Sequence, residues 1–174
     1  FIFNQRETIN PYYDKLPAIV QKYMKEINRL RGTSYDLVTY YGAADAEEVI
    51  VSMGSVAQTI EQTVDYLNAN GRKTGFLNIH LYRPFPVETF VQKLPHTVKA
   101  IAVLDRSKEP GAGGEPLLLD VQSALYDSEF RPAIIGGRYG LGSKDVTPDQ
   151  ISQFDELTKR SKYTQKTVHH WDRG

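Results

Sequence analysis

The order of the chain predicts an α/β three-layer sandwich, a mostly parallel sheet of about five strands with helices on both faces. Three observations carry that expectation. Short β-branched or apolar runs (48–53, 75–81, 99–104) alternate with stretches whose apolar residues recur at helical spacing. The segment 48–81 reads as a strand, a capped helix and a second strand, a βαβ unit with a right-handed crossover. Finally, the apolar run Lys99–Leu104 enters the glycine-rich stretch Asp105–Pro116 and leaves as a helix with apolar residues at 117, 118, 121, 124 and 125. In open α/β sheets the crevice beyond such a strand end is where ligands or partners sit.

Each element has its own local justification. Residues 1–10 read as an extended arm whose apolar side chains at 1–3 suit packing on something upstream. Asn10 is a good N-cap and Pro11 suits the first helical turn. Tyr12, Leu16, Ile19, Val20, Tyr23, Ile27 and Leu30 then form a helical stripe ending at Gly32, expected to pack across the domain. Tyr35–Tyr41 has strand-type residues, Gly42–Asp45 a turn, and Glu48–Met53 the strongest strand pattern. Ser55 with Gln58 makes a capping box for a helix buried through Val56, Ile60, Val64 and Leu67, closed by Asn70-Gly71. After strand 75–81, Pro84 and Pro86 break the chain before a short helix with Val87, Phe90, Val91 and Leu94 inward. Helix 117–126, a last strand in Arg131–Gly137 and a glycine loop, Arg138–Asp145, follow. Thr147 and Gln150 form a second capping box, with Pro148 opening helix 148–159. The domain is expected to span 1–160, with 161–174 a polar tail or linker.

Composition narrows the function classes. With 21 basic and 21 acidic residues among 174, the formal charge is zero, unlike the basic excess of a dedicated nucleic-acid binder. No run approaches the roughly 18 apolar residues of a membrane span. Cysteine is absent, which removes disulfides, thiol catalysis and iron–sulfur ligation and fits a cytoplasmic protein. Of the four histidines (80, 96, 169, 170) only the adjacent pair His169-His170 has a close partner, so no metal site is expected. The chain begins at Phe1 rather than Met and shows no signal peptide, which reads as an excised or processed piece.

The glycine-rich loops do not match known phosphate motifs. After Gly111 and Gly113 the third position of a dinucleotide fingerprint is Pro116. Gly137 and Gly142 have phosphate-loop spacing, but Ser143-Lys144 reverses the required order. Met53-Gly54-Ser55-Val56 is not a nucleophile elbow, and Ser55 is better explained as a cap.

Six segments occur together in one order: Asn10–Asp14; Tyr40–Ala43 with Asp45–Glu47; Ser52–Ser55; His80–Phe85; Leu104–Gly111; Gly136–Asp145. That set resembles the second domain of pyruvate:ferredoxin (or flavodoxin) oxidoreductase, over roughly residues 1–158. The domain is itself similar to the carboxyl-terminal domain of transketolase. The resemblance implies a parent enzyme that oxidatively decarboxylates pyruvate to acetyl-CoA on thiamine diphosphate and magnesium. It also implies iron–sulfur clusters, coenzyme A as substrate, ferredoxin or flavodoxin as acceptor, and a homodimer. This chain lacks the Gly-Asp-Gly…Asn thiamine signature and every cluster cysteine, so no cofactor-binding or catalytic residue carries over. The chain alone is therefore expected to be silent, a structural and docking domain; the alternative is a free-standing small-molecule or anion-binding α/β module.

One candidate surface remains. If strands 75–81, 99–104 and 132–137 run parallel, their carboxyl ends share an edge followed by Arg83, Arg106 with Lys108, and Arg138 with Lys144. This cationic rim suits either ion pairs with Asp105, Glu109, Glu115 and Asp145 or with other domains, or an anion such as the phosphates of coenzyme A. His80 reads as a partly buried structural histidine. Tyr12, Tyr13, Tyr23, Tyr40 and Tyr41 read as packing at the core or a domain interface, and Asp105 as a partner for Arg106 or a neighbouring domain.

Overall fold

Glu48-Val-Ile-Val-Ser-Met53 carries three consecutive β-branched residues, Val49 to Val51, and is buried on both sides, which makes it the middle of a sheet. The computed structural model describes residues 2–129 and 131–153. Its strands are β1 (Val38–Gly42), β2 (Glu48–Met53), β3 (Thr74–Ile79), β4 (Ala100–Asp105) and β5 (Ala133–Arg138), in the order β1-β3-β2-β4-β5. β2 to β5 are parallel, in a register that aligns Ile50 with Phe76 and Ala102, and Ala102 with Ile135. β1 alone runs antiparallel, against β3. Every residue of β4 is buried, as expected of a strand covered on both faces.

The helices follow from the direction of each crossover. From β2 the chain steps outward to β3 through α3 (Ala57–Ala69), then returns past β2 to β4 through α4 (Val87–Lys93) and continues to β5 through α5 (Pro116–Tyr126). Crossovers of one hand that move in opposite directions must lie on opposite faces. Accordingly Ile60 and Val64 of α3 pack with Ile50, Phe76, Leu104 and Ile135 on one face. Phe90 and Leu94 of α4 and Leu117, Val121 and Leu125 of α5 pack with Val49, Val51, Ile101 and Val103 on the other. Gly136 lets α5 lie close to β5, because a Cβ there would enter the space of the Leu118 side chain, which would have to shift. The three-layer α/β fold is therefore as expected.

Several local expectations are corrected. The arm 1–10 is not extended: Ile2–Glu7 forms α1, and α2 runs from Asn10 to Arg31. Asn10 does not cap, because Ile9 ahead of it is already helical (φ −82°, ψ −23°) and leaves no extended residue to carry a cap. The Asn10 amide instead donates to Glu7 at 2.8 Å. Pro11 sits in the first turn and Gly32 ends the helix at φ 65°, as expected. α2 does not enter the core as expected of a helix packed across the domain: none of its residues is fully buried, and Leu16, Val20 and Met24 are half-buried along one side. It is held near its end by Asn28, which bonds the Tyr35 N–H and C=O at 2.8 and 2.7 Å, and by Gln21 donating to Asp36 at 3.0 Å.

The Ser55–Gln58 box is also replaced. Gly54 (φ 81°) opens a 3-10 turn over Gly54–Val56, so the chain is already helical before α3 and no side chain caps it. The second box does form: Thr147 N–H donates to Gln150 at 3.1 Å and Gln150 N–H to the Thr147 hydroxyl at 3.4 Å. Residues 148–153 are helical, and Ile151 closes the α3-side core. The expected continuation to 159, and the tail or linker 161–174, lie outside the described residues. The loop 138–145 turns through left-handed residues, Gly140 at φ 61°, Gly142 at φ 66° and Ser143 at φ 61°.

Candidate functional site

Because β2, β3, β4 and β5 are parallel, Met53, Ile79, Asp105 and Arg138 all end at one edge. The chain leaves β2 toward β3 and leaves β4 toward β5, in opposite directions. The gap between β2 and β4 is therefore the switch point of the sheet, where α/β proteins open a crevice. A cavity of about 380 Å³ lies there. Met53, Gly54 and Ser55 follow β2 into its wall, and Leu104, Asp105, Arg106 and Ser107 follow β4. Tyr82, Pro116 and Tyr139 complete it.

The strand ends are fixed from within. The Ser52 hydroxyl donates to the Leu104 carbonyl at 3.1 Å, joining β2 to β4. Tyr139 N–H donates to the Asp105 carbonyl at 3.1 Å, and its hydroxyl reaches the Met53 carbonyl at 3.5 Å. Burial pushes the Tyr139 phenol upward. Asp105 is only 5% exposed and, among the described residues, pairs with neither Arg106 nor another cation. Its two oxygens accept the N–H groups of Leu117 and Leu118 at 3.0 and 3.1 Å, capping α5 from the end of the preceding strand. Burial raises its pKa, only partly offset by those two donors.

The intervening glycine loop is closed at its base by Glu115, also buried. One carboxylate oxygen accepts the Glu109 N–H at 2.7 Å and the other lies 2.9 Å from Arg138 Nε, within the protein interior. The twelve-residue stretch around which the chain is built is thus a closed loop on a capped helix. It uses glycine for its turn, with Gly111 at φ 81°.

The expected cationic rim separates into different environments. Arg83 follows Tyr82, stacks at 4.0 Å over that ring and pairs with Asp120 of α5 at 2.7 Å; the Arg83–Pro84 peptide is cis. Burial, with help from Asp120, pushes the Tyr82 phenol up to about 12. Arg138 is committed to Glu115. Arg106 donates through Nε to the Gly140 carbonyl at 3.3 Å and, among the described residues, has no carboxylate in ion-pair range. Lys108 and Lys144 are exposed on their loops. Of the five, only Arg106 lines the cavity.

His80 lies just past β3, outside the cavity lining. Its Nε2 is 3.0 Å from the Thr39 hydroxyl, its ring meets Tyr35 edge-on, and burial lowers its pKa. Tyr40 packs on the core and donates to the Ala43 carbonyl, and burial pushes it to about 12. Tyr41 bonds Asp65 at 2.8 Å. Tyr12, Tyr13 and Tyr23 stand exposed on α2. Glu115 pairs with a rim arginine as the sequence allowed, whereas Tyr82, Tyr139, Ser107 and Asp120 were not identified from the sequence as site residues.

Among the described residues no group of three or more His, Cys, Asp or Glu is placed to hold a metal ion. Nor is any described helix long and apolar enough to cross a membrane. Residues 46–151 match the family model of pyruvate:ferredoxin oxidoreductase core domain II. A pyruvate-flavodoxin oxidoreductase of Enterobacter agglomerans is 54% identical over 156 residues, covering 89% of this chain and 13% of that protein. The Klebsiella pneumoniae pyruvate-flavodoxin oxidoreductase is 54% identical over 158 residues, covering 90% and 14%. A pyruvate:ferredoxin oxidoreductase of Moorella thermoacetica is 49% identical over 166 residues, covering 93% and 14%. The chain thus spans about 13–14% of the length of these relatives. Among solved structures, a 2-oxoglutarate:ferredoxin oxidoreductase from Magnetococcus marinus, with 2-oxoglutarate, coenzyme A and succinyl-CoA bound, shares the fold. Its TM-score is 0.50 at 17% identity, covering 78% of this chain and 22% of that one.

Proposed function

The chain belongs to the pyruvate:ferredoxin oxidoreductase core domain II family, and we propose that it is the structural and docking domain of such an oxidoreductase, ordering its neighbours. The parent enzyme would decarboxylate pyruvate oxidatively to acetyl-CoA and pass electrons to ferredoxin or flavodoxin, as a cytoplasmic homodimer. Thiamine diphosphate, magnesium, iron–sulfur clusters and coenzyme A would be bound elsewhere in that enzyme. The donor set here does not fit the clusters, since the sequence has no cysteine. No catalytic step is assigned to this chain, and the chain alone is silent.

The observation that carries this reading is the uncovered apolar surface of α1 and α2. Phe3 is 74% exposed, Tyr12 76%, Tyr23 62% and Leu30 67%, with Ile2, Ile9, Tyr13, Ile19 and Ile27 beside them in sequence. Covering one such side chain is worth roughly 1.5–3 kcal/mol. Several on one arm make a surface suited to another domain rather than to water. The rim supports the same reading in part: Arg83 and Arg138 hold the domain's own carboxylates, while Arg106, among the described residues, has none in ion-pair range.

Tyr23→Asp with Ile27→Asp on α2 tests the proposal in the full-length oxidoreductase. The expected result is loss of assembly and activity there, with unchanged circular dichroism of the 174-residue chain carrying the same changes. Full assembly and activity of the doubly substituted enzyme would refute docking through α2.

A further inference from the structure

The cavity at the switch point has a composition that the docking role does not use. Its lining includes the apolar or aromatic residues Met53, Leu104, Pro116, Tyr82 and Tyr139. The same lining includes Arg106, Ser55 and Ser107. Arg83 and Arg138, which have internal carboxylate partners, lie outside the lining, whereas Arg106, which among the described residues has none, lies within it. Ser55 and Ser107 make no hydrogen bond among the described residues, and Ser55 is released from the capping role its sequence suggested. Asp105, the one carboxylate in the lining, has both oxygens engaged by Leu117 and Leu118. The cavity therefore offers an apolar body site beside a planar guanidinium and two hydroxyl donors.

That combination suits an anionic group with several acceptor oxygens on a flat apolar body. At about 380 Å³ the space is near the small end of ligand sites, which run from roughly 300 to 1,000 Å³. It has room for a mononucleotide-sized molecule but not for a whole dinucleotide or long pantetheine-type coenzyme. We propose that this cavity binds a phosphate monoester carried on a ring-sized body, with Arg106, Ser55 and Ser107 holding the phosphate and Tyr82 and Tyr139 lining the body. The phosphorylated ring could be a free mononucleotide or the phosphorylated adenosine end of a larger coenzyme. The inference stands apart from docking through α2, because the cavity and that helix share no residue.

The test is calorimetry and amide NMR on the 174-residue chain at low salt, with adenosine 5′-monophosphate as probe. Adenosine, inorganic phosphate and coenzyme A are compared under the same conditions. Saturable binding of the monophosphate, with shifts at Ser55, Arg106 and Ser107, is expected. Arg106→Ala should weaken it about tenfold or more, equivalent to roughly 1.4 kcal/mol, while Arg83→Ala should change it less than about twofold. Ser55→Ala, which removes no core packing, should weaken it about threefold to tenfold, in line with loss of one donor to a charged group. Coenzyme A binding tighter than the monophosphate would support the site and identify the coenzyme end as its source; weaker binding would support it with a free nucleotide as source. Absent saturable binding, shifts confined to other surfaces, or an unaltered affinity in Arg106→Ala would overturn the proposal. Inorganic phosphate binding as tightly as the monophosphate would overturn the part assigned to the tyrosines.

Discussion

Helices α2 and α5 carry apolar stripes of the same kind, yet α5 buries Leu117, Leu118, Val121, Ala124 and Leu125 while α2 buries nothing. The difference lies in how each is attached. α5 leaves the sheet through a loop whose base is clamped by Glu115, and its first N–H groups are capped by Asp105 at the end of β4. Its start is thereby fixed against the strand end on which its side chains pack. α2 is joined to the domain through Gln21 in its middle and Asn28 near its end, and its Leu16, Val20 and Met24 are only half-buried. An amphipathic pattern shows that a face needs cover; the attachment decides what covers it.

The comparison can be broken at α5. Arg138→Ala leaves Glu115 as a buried carboxylate without its cation and should destabilise by about 3–5 kcal/mol in urea unfolding. Leu117→Ala, at a fully buried position, should cost about 3 kcal/mol. If either change were neutral, α5 would not owe its place to the clamp and the core. Asp105→Ala should cost about 1–2 kcal/mol through the lost cap and two unsatisfied N–H groups.

Asp105 also gives a pH signature. Burial raises its folded pKa, so the folded chain binds this proton more tightly than the unfolded one. Its contribution to stability is therefore fully present below the ordinary aspartate value of about 4, declines as pH rises through the raised folded value, and is flat above it. Asp105→Asn should remove that decline, as measured by urea unfolding across the acid range.

On α2 the expected effects are smallest. Tyr23→Ala or Leu30→Ala should change the stability of this chain by less than about 0.5 kcal/mol, since both side chains already face solvent. A large loss would mean that α2 packs on its own domain after all.

What the sequence made legible follows the same line. β2, β3, β4 and α5 were readable because burial on two faces or one leaves a local period, and the Thr147–Gln150 box because its partners are three residues apart. The rest depends on contacts between distant residues. Asp105 was visible as an acid after a strand, but its cap on Leu117 and Leu118 spans the whole glycine loop. The Glu115–Arg138 pair exists only once β5 lies beside β4. Local rules even misled at Asn10 and Ser55, where a preceding helical turn took the position a cap requires. Arg83, Arg106 and Arg138 all follow strand ends, yet nothing local separates Arg106 from Arg83 or Arg138. Only the fold shows which of them already has a carboxylate.

Amide hydrogen exchange of residues 10–31, in the 174-residue chain and in the full-length oxidoreductase, tests the docking account most directly. In the chain alone α2 should exchange far faster than α5, because a helix without a buried face has little beyond its marginal local stability. In the full-length enzyme α2 should slow by at least about tenfold, roughly 1.4 kcal/mol of added protection, while α5 changes little. Equal protection of α2 in both would contradict the account, since its apolar face would then gain no cover from the rest of the enzyme.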